Sequence, residues 1–152
     1  MIPIYSIRRA TSKDHHRIIE LHSYLFEGPK KDMPSPSQGY WWVLEYEGSW
    51  SDHLRQIVGF AALTPSNWHQ KTGYLCRVGI HPLHQGKGLH KRLIRVRESH
   101  AKRLKWHWLV TDTSPDNYAS SNSLIRSGYS LYEPWYPWAE NKASLYWGKK
   151  II

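Results

Sequence analysis

The sequence contains little of what would mark an exported, thiolate-metal or membrane-spanning protein. Cys76 is the only cysteine in 152 residues, so no internal disulfide and no thiolate metal cage can form. No apolar run approaches the roughly 18 residues of a membrane span, and the amino-terminal residues lack the charged-then-apolar pattern of an export signal. We therefore expect a cytoplasmic protein without a membrane partner.

Metal-ligand spacing is also missing, although the chain has ten histidines. The adjacent residues His15 and His16, and the pair His81 and His84, are the candidates. Neither pair is joined by a carboxylate at a known zinc spacing. We expect no metal site.

Acidic residues are scarce, because 12 Asp and Glu stand against 21 Lys and Arg, which gives a net charge of +9. Eight of the basic residues lie between Lys87 and Lys105, where Glu98 is the one acid. The positive charge is therefore concentrated in one segment, which favours contact with phosphates or other polyanions there. From Arg95 onward we expect the basic side chains to form a solvated helix face.

The length predicts one domain over residues 1–152. Hydrophobic spacing and turn residues predict the element order β-α-β-β-β-α-β-α-β-β. The predicted strands cover residues 5–10, 40–46, 56–63, 74–80, 106–111, 129–132 and 143–147, and the predicted helices begin at Thr11 and cover 88–105 and 117–127. This order is typical of an α/β (α+β) fold with a mixed central sheet of six to seven strands flanked by helices, rather than a doubly wound sheet.

Residues 85–90 (Gln-Gly-Lys-Gly-Leu-His) are the most informative local pattern. This glycine-rich turn follows an apolar, strand-like run and opens the basic helix. Such an order directs several backbone N–H groups and a helix dipole at one point, which suits a phosphate or another anion. Glycine also lets the backbone approach that anion closely.

Three stretches, taken together, resemble the GNAT superfamily of acetyl-CoA-dependent N-acetyltransferases across nearly the whole chain. Residues 78–82 (Val-Gly-Ile-His-Pro) resemble the end of the family's fourth strand, and residues 85–90 resemble its pyrophosphate loop. Residues 117–129 resemble the family's late helix, which runs from Asn to a closing Gly-Tyr. The resemblance implies a single GNAT domain whose strands splay at the acetyl-CoA site.

The resemblance also implies which residues meet acetyl-CoA. Backbone groups of Val78 and Ile80 would bond its pantetheine and thioester carbonyl, and Asn117 and Ser120 would lie at its sulfur end. The pyrophosphate would be held by the turn and the first helical residues, which are Gln85, Gly86, Lys87, Gly88, Leu89, His90 and Lys91. His90 replaces the family's usual Gly or Ala, and we expect its ring to point outward.

The family's usual catalytic groups are missing from their positions. Leu124 stands where many members have the Tyr that protonates the leaving thiolate, so Ser120 becomes the candidate for that role. Tyr74 and Cys76 stand near the family's Glu, and strand alternation puts both on one face, where either is a candidate to touch the acceptor. Asp112, just past the fifth predicted strand, and Glu45, on the second, are the nearest carboxylate candidates for the general base.

The acceptor side of the predicted site is less determined. Trp135 and Trp138 lie in the loop over residues 133–138, where relatives shape the acceptor pocket, and they offer flat apolar walls. With Glu45 and the proline-rich segment 28–38, they are the candidate substrate-binding residues. The alternative is that both Trp rings plug the end of the sheet, and that Glu45 and Asp112 are caps or surface charges.

The resemblance implies an N-acetyltransferase that moves an acetyl group to a primary amine of a small molecule or a protein, by direct transfer in a ternary complex. A second interpretation follows from the net charge of +9: the amine is carried on nucleic acid, such as an aminoacyl-tRNA, and RNA or another polyanion is a partner. A third is a non-catalytic module that binds acetyl-CoA or nucleic acid. We expect a monomer or a homodimer.

Overall fold

The computed structural model describes residues 4–26, 38–48 and 55–152. The chain divides into two compact units: unit 1 comprises Met1–Leu63 and Arg77–Leu89, and unit 2 comprises Thr64–Cys76 and His90–Ile152. The single domain predicted over residues 1–152 stays a prediction. Most of the proline-rich segment 28–38 lies outside the described residues.

The described part of the chain contains a seven-stranded mixed sheet with the strand order β1-β2-β3-β4-β5-β7-β6. Its strands are β1 (Ile4–Arg9), β2 (Tyr40–Glu47), β3 (Gln56–Pro65), β4 (Thr72–Ile80), β5 (Trp108–Thr113), β6 (Ser130–Leu131) and β7 (Leu145–Lys150). The helices are α1 (His15–Leu25), α2 (Leu89–Arg103) and α3 (Tyr118–Arg126), with short 3-10 turns over Ser12–Asp14 and Pro82–His84. The predicted mixed sheet flanked by helices is confirmed.

Unit 1 is built on antiparallel pairing of β1 with β2 and of β2 with β3. Leu44, Val58 and Leu89 form a buried cluster in it, and Tyr5 and Tyr46 are among the rings that pack against this cluster. Leu89 is the first residue of α2, directly after the glycine turn. Burial of this one side chain therefore fixes where the helix begins.

An ion-pair network joins β1, β2 and the start of α1 in unit 1. The Arg8 guanidinium donates to both carboxylate oxygens of Asp14, at 2.8 and 2.9 Å, and its Nε donates to Glu45 Oε1 at 2.9 Å. Asp14 also accepts from the backbone N–H of Thr11, which closes a capping box. The hydrogen bonds from Arg8 lower the pKa of Asp14 to about 2, although its burial opposes this shift.

Unit 2 contains the parallel pair β4–β5 and the antiparallel pair β5–β7. Among the described residues, the β4–β5 register covers Thr72–Tyr74 opposite Trp108–Val110. At the next residue of β4, the Thr111 hydroxyl donates to the Leu75 carbonyl oxygen at 2.7 Å. Where β4 and β5 stop pairing, the Thr111 side chain therefore supplies a hydrogen bond to the Leu75 carbonyl oxygen in place of a backbone N–H.

Helix α2 buries charged side chains as well as apolar ones. Arg97 is 1% exposed, and its Nε donates to the Leu93 carbonyl oxygen at 3.0 Å. Desolvation lowers the pKa of Arg97 to about 10, with nearby Cys76, Tyr129 and Glu98 opposing that shift. The predicted solvated face is therefore wrong at Arg97, because a helix face that packs on a sheet also covers the basic residues within it.

The ends of the helices follow the sequence signals. Asn117 caps α3, since its side-chain oxygen accepts from the Ser120 backbone N–H at 3.2 Å. Gly128 follows α3 with φ +91°, in the left-handed region where glycine commonly ends a helix. No helix in the described part of the chain is long and apolar enough to cross a membrane.

We predict that Asp14→Asn destabilises the fold at neutral pH by about 1–2 kcal/mol, a value reduced because Arg8 is partly exposed. A carboxyl whose pKa is lowered in the fold stabilises it above the unfolded pKa. The difference between Asp14→Asn and the wild type therefore disappears as the pH falls from about 4 towards about 2. Denaturant unfolding at both pH values measures this.

Glu20→Gln is the matched control for this prediction, because Glu20 is an exposed carboxylate paired with Arg17 on α1. It should change the free energy of unfolding by less than about 0.5 kcal/mol at either pH. An Asp14→Asn effect that persists at pH 2 would contradict the assignment.

Candidate active site

The glycine turn in unit 1 has a backbone that other residues adopt only with strain. Gly86 and Gly88 have φ +76° and +73°, in the left-handed region that favours glycine. A Cβ built on either glycine meets no atom within 4 Å. Glycine is thus required here by backbone conformation and not by crowding, and open space lies beside both residues.

The residues before the turn are tied to one another. The His81 ring nitrogen Nδ1 accepts from the Leu83 backbone N–H at 3.2 Å, and the Gln85 side-chain amide donates to the Ile80 carbonyl oxygen at 2.8 Å. Val78 and Ile80 are both half-buried, and the Ile80 side chain packs against the buried cluster of unit 1. Their predicted roles toward acetyl-CoA stay predictions.

The positions that follow the turn differ in exposure. Lys87 is exposed and Lys91 is half-buried. Desolvation, aided by the positive charge of Arg97, lowers the pKa of His90 to about 4. His90 is half-buried, and its ring is neutral near pH 7, while the expected outward direction of the ring stays a prediction.

Unit 2 contains a polar cluster around Asp112, which has hydroxyl donors on both oxygens. Tyr74 Oη donates to Asp112 Oδ1 at 2.8 Å, and Ser144 Oγ donates to Oδ2 at 3.3 Å. The Trp138 ring lies edge-on to Tyr74 with 5.3 Å between ring centroids. Two predicted residues, Tyr74 and Asp112, are thus brought together, and Ser144 is an addition that the sequence did not suggest.

Cys76 has different surroundings from Tyr74. The Cys76 thiol is half-buried and acts electrostatically on Arg97 of α2. Tyr74, in contrast, reaches Asp112. Tyr74 and Cys76 are both half-buried on β4, and their placement on one face of the strand stays a prediction.

The remaining polar candidates have hydrogen-bond or ion-pair partners of their own. Ser120 gives its backbone N–H to the Asn117 side chain, and its own side chain is half-buried in the first turn of α3. The next residue, Ser121, has its hydroxyl 3.5 Å from Thr113 Oγ1. Glu45 is buried and paired with Arg8, so its carboxylate is engaged inside unit 1.

The two tryptophans of the loop over residues 133–138 behave differently. Trp138 Nε1 donates to Tyr132 Oη at 3.1 Å, and its ring packs against Tyr146 at 4.9 Å. Trp135 is 86% exposed and contacts Tyr136, with 6.0 Å between centroids. Trp138 is thus packed among other rings, whereas Trp135 presents its ring to solvent. The choice between an acceptor wall and a plug stays a prediction.

A family model described as Acetyltransferase (GNAT) family matches residues 4–129. This match spans more than half of the chain and includes the glycine turn, Asp112 and α3. The chain belongs to the GNAT acetyltransferase family.

Solved structures share the GNAT fold over nearly their whole length. A Klebsiella pneumoniae protein assigned as an acyl-CoA N-acyltransferase is 21% identical (TM-score 0.72; 98% of this chain and 99% of that chain covered). A GNAT acetyltransferase of Staphylococcus aureus is 12% identical (TM-score 0.76; 98% and 100%). A Bacillus subtilis acetyltransferase solved with CoA is 11% identical (TM-score 0.73; 98% and 100%). A sequence comparison with curated proteins finds no match.

Membership of the GNAT family makes the protein an N-acetyltransferase with acetyl-CoA as its acetyl donor. The residues present fit that donor, because the open space beside Gly86 and Gly88 leaves their backbone accessible to a phosphate. No group of three or more metal-ligating side chains occurs in the described ranges. Leu124, at the position of the family's usual Tyr, is 3% exposed and serves the core.

We predict that Trp138→Ala lowers the free energy of unfolding by about 2–3 kcal/mol, because a half-buried indole and its hydrogen bond are lost. Trp135→Ala should change it by less than about 0.5 kcal/mol, because the ring is already in water. Denaturant unfolding of the two variants measures the difference. Equal losses in the free energy of unfolding would contradict the conclusion that Trp138 is packed and Trp135 is not.

Proposed function

We propose that this GNAT enzyme acetylates a primary amine of a small molecule or a protein by direct transfer within a ternary complex. The observation that carries this proposal is the Asp112 carboxylate, held by the hydroxyls of Tyr74 and Ser144 at 2.8 and 3.3 Å. It lies on β5, at the point where β5 stops pairing with β4.

Asp112 supplies what an incoming amine needs. Near neutral pH an alkyl amine is an ammonium ion, which must lose a proton before its nitrogen can attack. A carboxylate attracts the ammonium and orders a path for that proton, directly or through the Tyr74 hydroxyl. The amine nitrogen then bonds to the acetyl carbon as the carbon–sulfur bond breaks, and the leaving thiolate gains a proton near Ser120.

Residues 85–90 are proposed to hold the pyrophosphate of acetyl-CoA. The positive φ values of Gly86 and Gly88 and the open space beside both residues support this role, since a glycine turn of this kind lets an anion approach the backbone N–H groups. Lys87, on the exposed side of the turn, adds positive charge. Asn117 and Ser120 are assigned to the sulfur end of the donor by the family pattern.

Aromatic rings of unit 2 are proposed as the acceptor's wall. Trp135 touches Tyr136, and Tyr136 touches Trp68 with 5.1 Å between centroids. The next residue, His69, meets Trp138, which in turn packs against Tyr74. These ring contacts connect the exposed Trp135 with the partner of Asp112.

Local charge favours an amine over a polyanion at this wall. Between β6 and β7 the chain carries two acids, Glu133 and Glu140, and one base, Lys142. This segment is thus slightly negative in a chain whose net charge is +9. A nucleic-acid surface would require the opposite sign, so the small-molecule or protein amine is preferred.

We predict that Gly86→Glu abolishes CoA binding, because a carboxylate would occupy the space proposed for the pyrophosphate. Gly86→Ala is the matched control: it imposes the same backbone strain, of about 1 kcal/mol, without a charge, and should weaken binding by less than about tenfold. Calorimetry with CoA measures both. Equal affinities of the Glu and Ala variants would contradict the proposed phosphate seat.

A thiol-release assay over small amines, peptides and an aminoacyl-tRNA tests the acceptor. We predict release with a small amine or peptide, and a fall in kcat of about 100-fold for Asp112→Asn, the size typical of lost acid–base catalysis. The KM for acetyl-CoA should stay unchanged. Release with the aminoacyl-tRNA alone would favour the nucleic-acid interpretation, and no release despite CoA binding would favour the non-catalytic one.

A further inference from the structure

His84 closes the 3-10 turn Pro82–His84, two residues before Gly86, and its ring docks on strands far away in sequence. Its Nδ1 lies 2.7 Å from Tyr5 Oη, across 79 positions of the chain. Its ring centroid lies 4.6 Å from that of Tyr46 and 5.6 Å from that of Tyr5. The two tyrosine rings also touch each other, at 5.3 Å.

The same two tyrosines support the other end of the glycine turn. Tyr5 and Tyr46 pack against the buried cluster that includes Leu89, the residue directly after Gly88. One flank of the turn, His84, therefore contacts this pair of rings directly, and the other flank, Leu89, belongs to the cluster against which the same rings pack. Between these flanks, Gly86 and Gly88 have no side chain that could hold the backbone in place.

We propose that His84 is a positioning residue for the phosphate-binding turn, held by the Tyr5 hydroxyl and the Tyr46 ring, so that affinity for acetyl-CoA depends on a hydroxyl of β1. This inference rests on the proposed pyrophosphate role of residues 85–90. His84 would then affect acetyl-CoA binding without touching acetyl-CoA, through the shape of the turn.

The physical basis is the entropy of a glycine-rich loop. Glycine loses more conformational freedom on ordering than any other residue, and a turn that must order on binding loses affinity accordingly. Anchors on both flanks, together with the hydrogen bond from the Gln85 amide to the Ile80 carbonyl oxygen, shorten the free segment to residues 86–88. Loss of the His84 anchor lengthens the free segment of the turn, while the residues that face the phosphate remain unchanged.

Protonation of His84 should weaken this anchor. Desolvation, then the positive charges of His81 and Lys87, lower the pKa of His84, so its ring is neutral near pH 7. The groups that face it are Tyr5 from β1, Tyr46 from β2, and His81 and Lys87 from its own segment. A protonated ring carries a hydrogen on Nδ1 and can no longer accept a hydrogen bond from the Tyr5 hydroxyl there, and it adds a positive charge near Lys87.

Tyr5→Phe is the test, because it removes one hydroxyl and keeps the ring. We expect the KM for acetyl-CoA and the Kd of CoA to rise about three- to tenfold, the effect of one hydrogen bond, with kcat unchanged. Tyr46→Phe is the matched control, since the Tyr46 ring, rather than a hydroxyl, meets His84. It should leave both constants unchanged, and far-UV circular dichroism should show that both variants are folded.

A double-mutant cycle separates positioning from general damage. If Tyr5 acts through His84, then Tyr5→Phe should add nothing to the effect of His84→Phe. His84→Asn keeps an acceptor near the Nδ1 position and does not titrate, so its KM should match the wild type near pH 7. On acidification below the ordinary histidine pKa, the KM of the wild type should rise and that of His84→Asn should stay flat.

Three results would overturn the proposal. The first is an unchanged affinity of Tyr5→Phe for CoA, and the second is additive effects of the two substitutions in the double-mutant cycle. The third is a wild-type KM that falls on acidification, which would make protonated His84 a direct phosphate ligand. Each can occur while Gly86→Glu still abolishes CoA binding, in which case the phosphate seat stands and the positioning role fails. If Gly86→Glu binds CoA normally, the seat itself is wrong.

Discussion

Buried backbone groups must be paired, and this requirement shapes unit 2 around the point where β4 and β5 separate. After Tyr74 the ladder ends, and the Leu75 carbonyl would lose its partner without the Thr111 hydroxyl. One threonine thus makes the separation of two strands stable. The neighbouring residues Tyr74 and Asp112 then meet through side chains, which is what a reactive site between separating strands needs.

The order of strands and helices could be predicted from the sequence because each element carries its own signal. The left-handed Gly128, the Asn117 cap and the glycine turn all depend on neighbours within a few residues. The contacts of the candidate site do not. Ser144 reaches Asp112 across 32 positions, and Tyr5 reaches His84 across 79. Such pairs depend on strand register, which hydrophobic spacing leaves open.

Burial of charged side chains was the other feature that could not be predicted from the sequence. Arg97 and the exposed basic residues of α2 have the same residue types and similar spacing, so composition could not separate them. What separates them is which helix face packs inward, together with the partners that make burial tolerable. Arg97 has the Leu93 carbonyl, and its neighbour Glu98 has Lys149 at 2.9 Å. Burying a charged side chain costs too much free energy unless such partners are present.

The pairing of Glu98 with Lys149 has a consequence for the surface of α2. Glu98 is the one acid between Lys87 and Lys105, and its carboxylate binds Lys149, so positive charge predominates on the exposed side of α2. The mutual repulsion of these charges extends over about 8 Å at physiological ionic strength. Two copies of this chain therefore repel each other when their α2 surfaces face, and any association through that face requires anions between them.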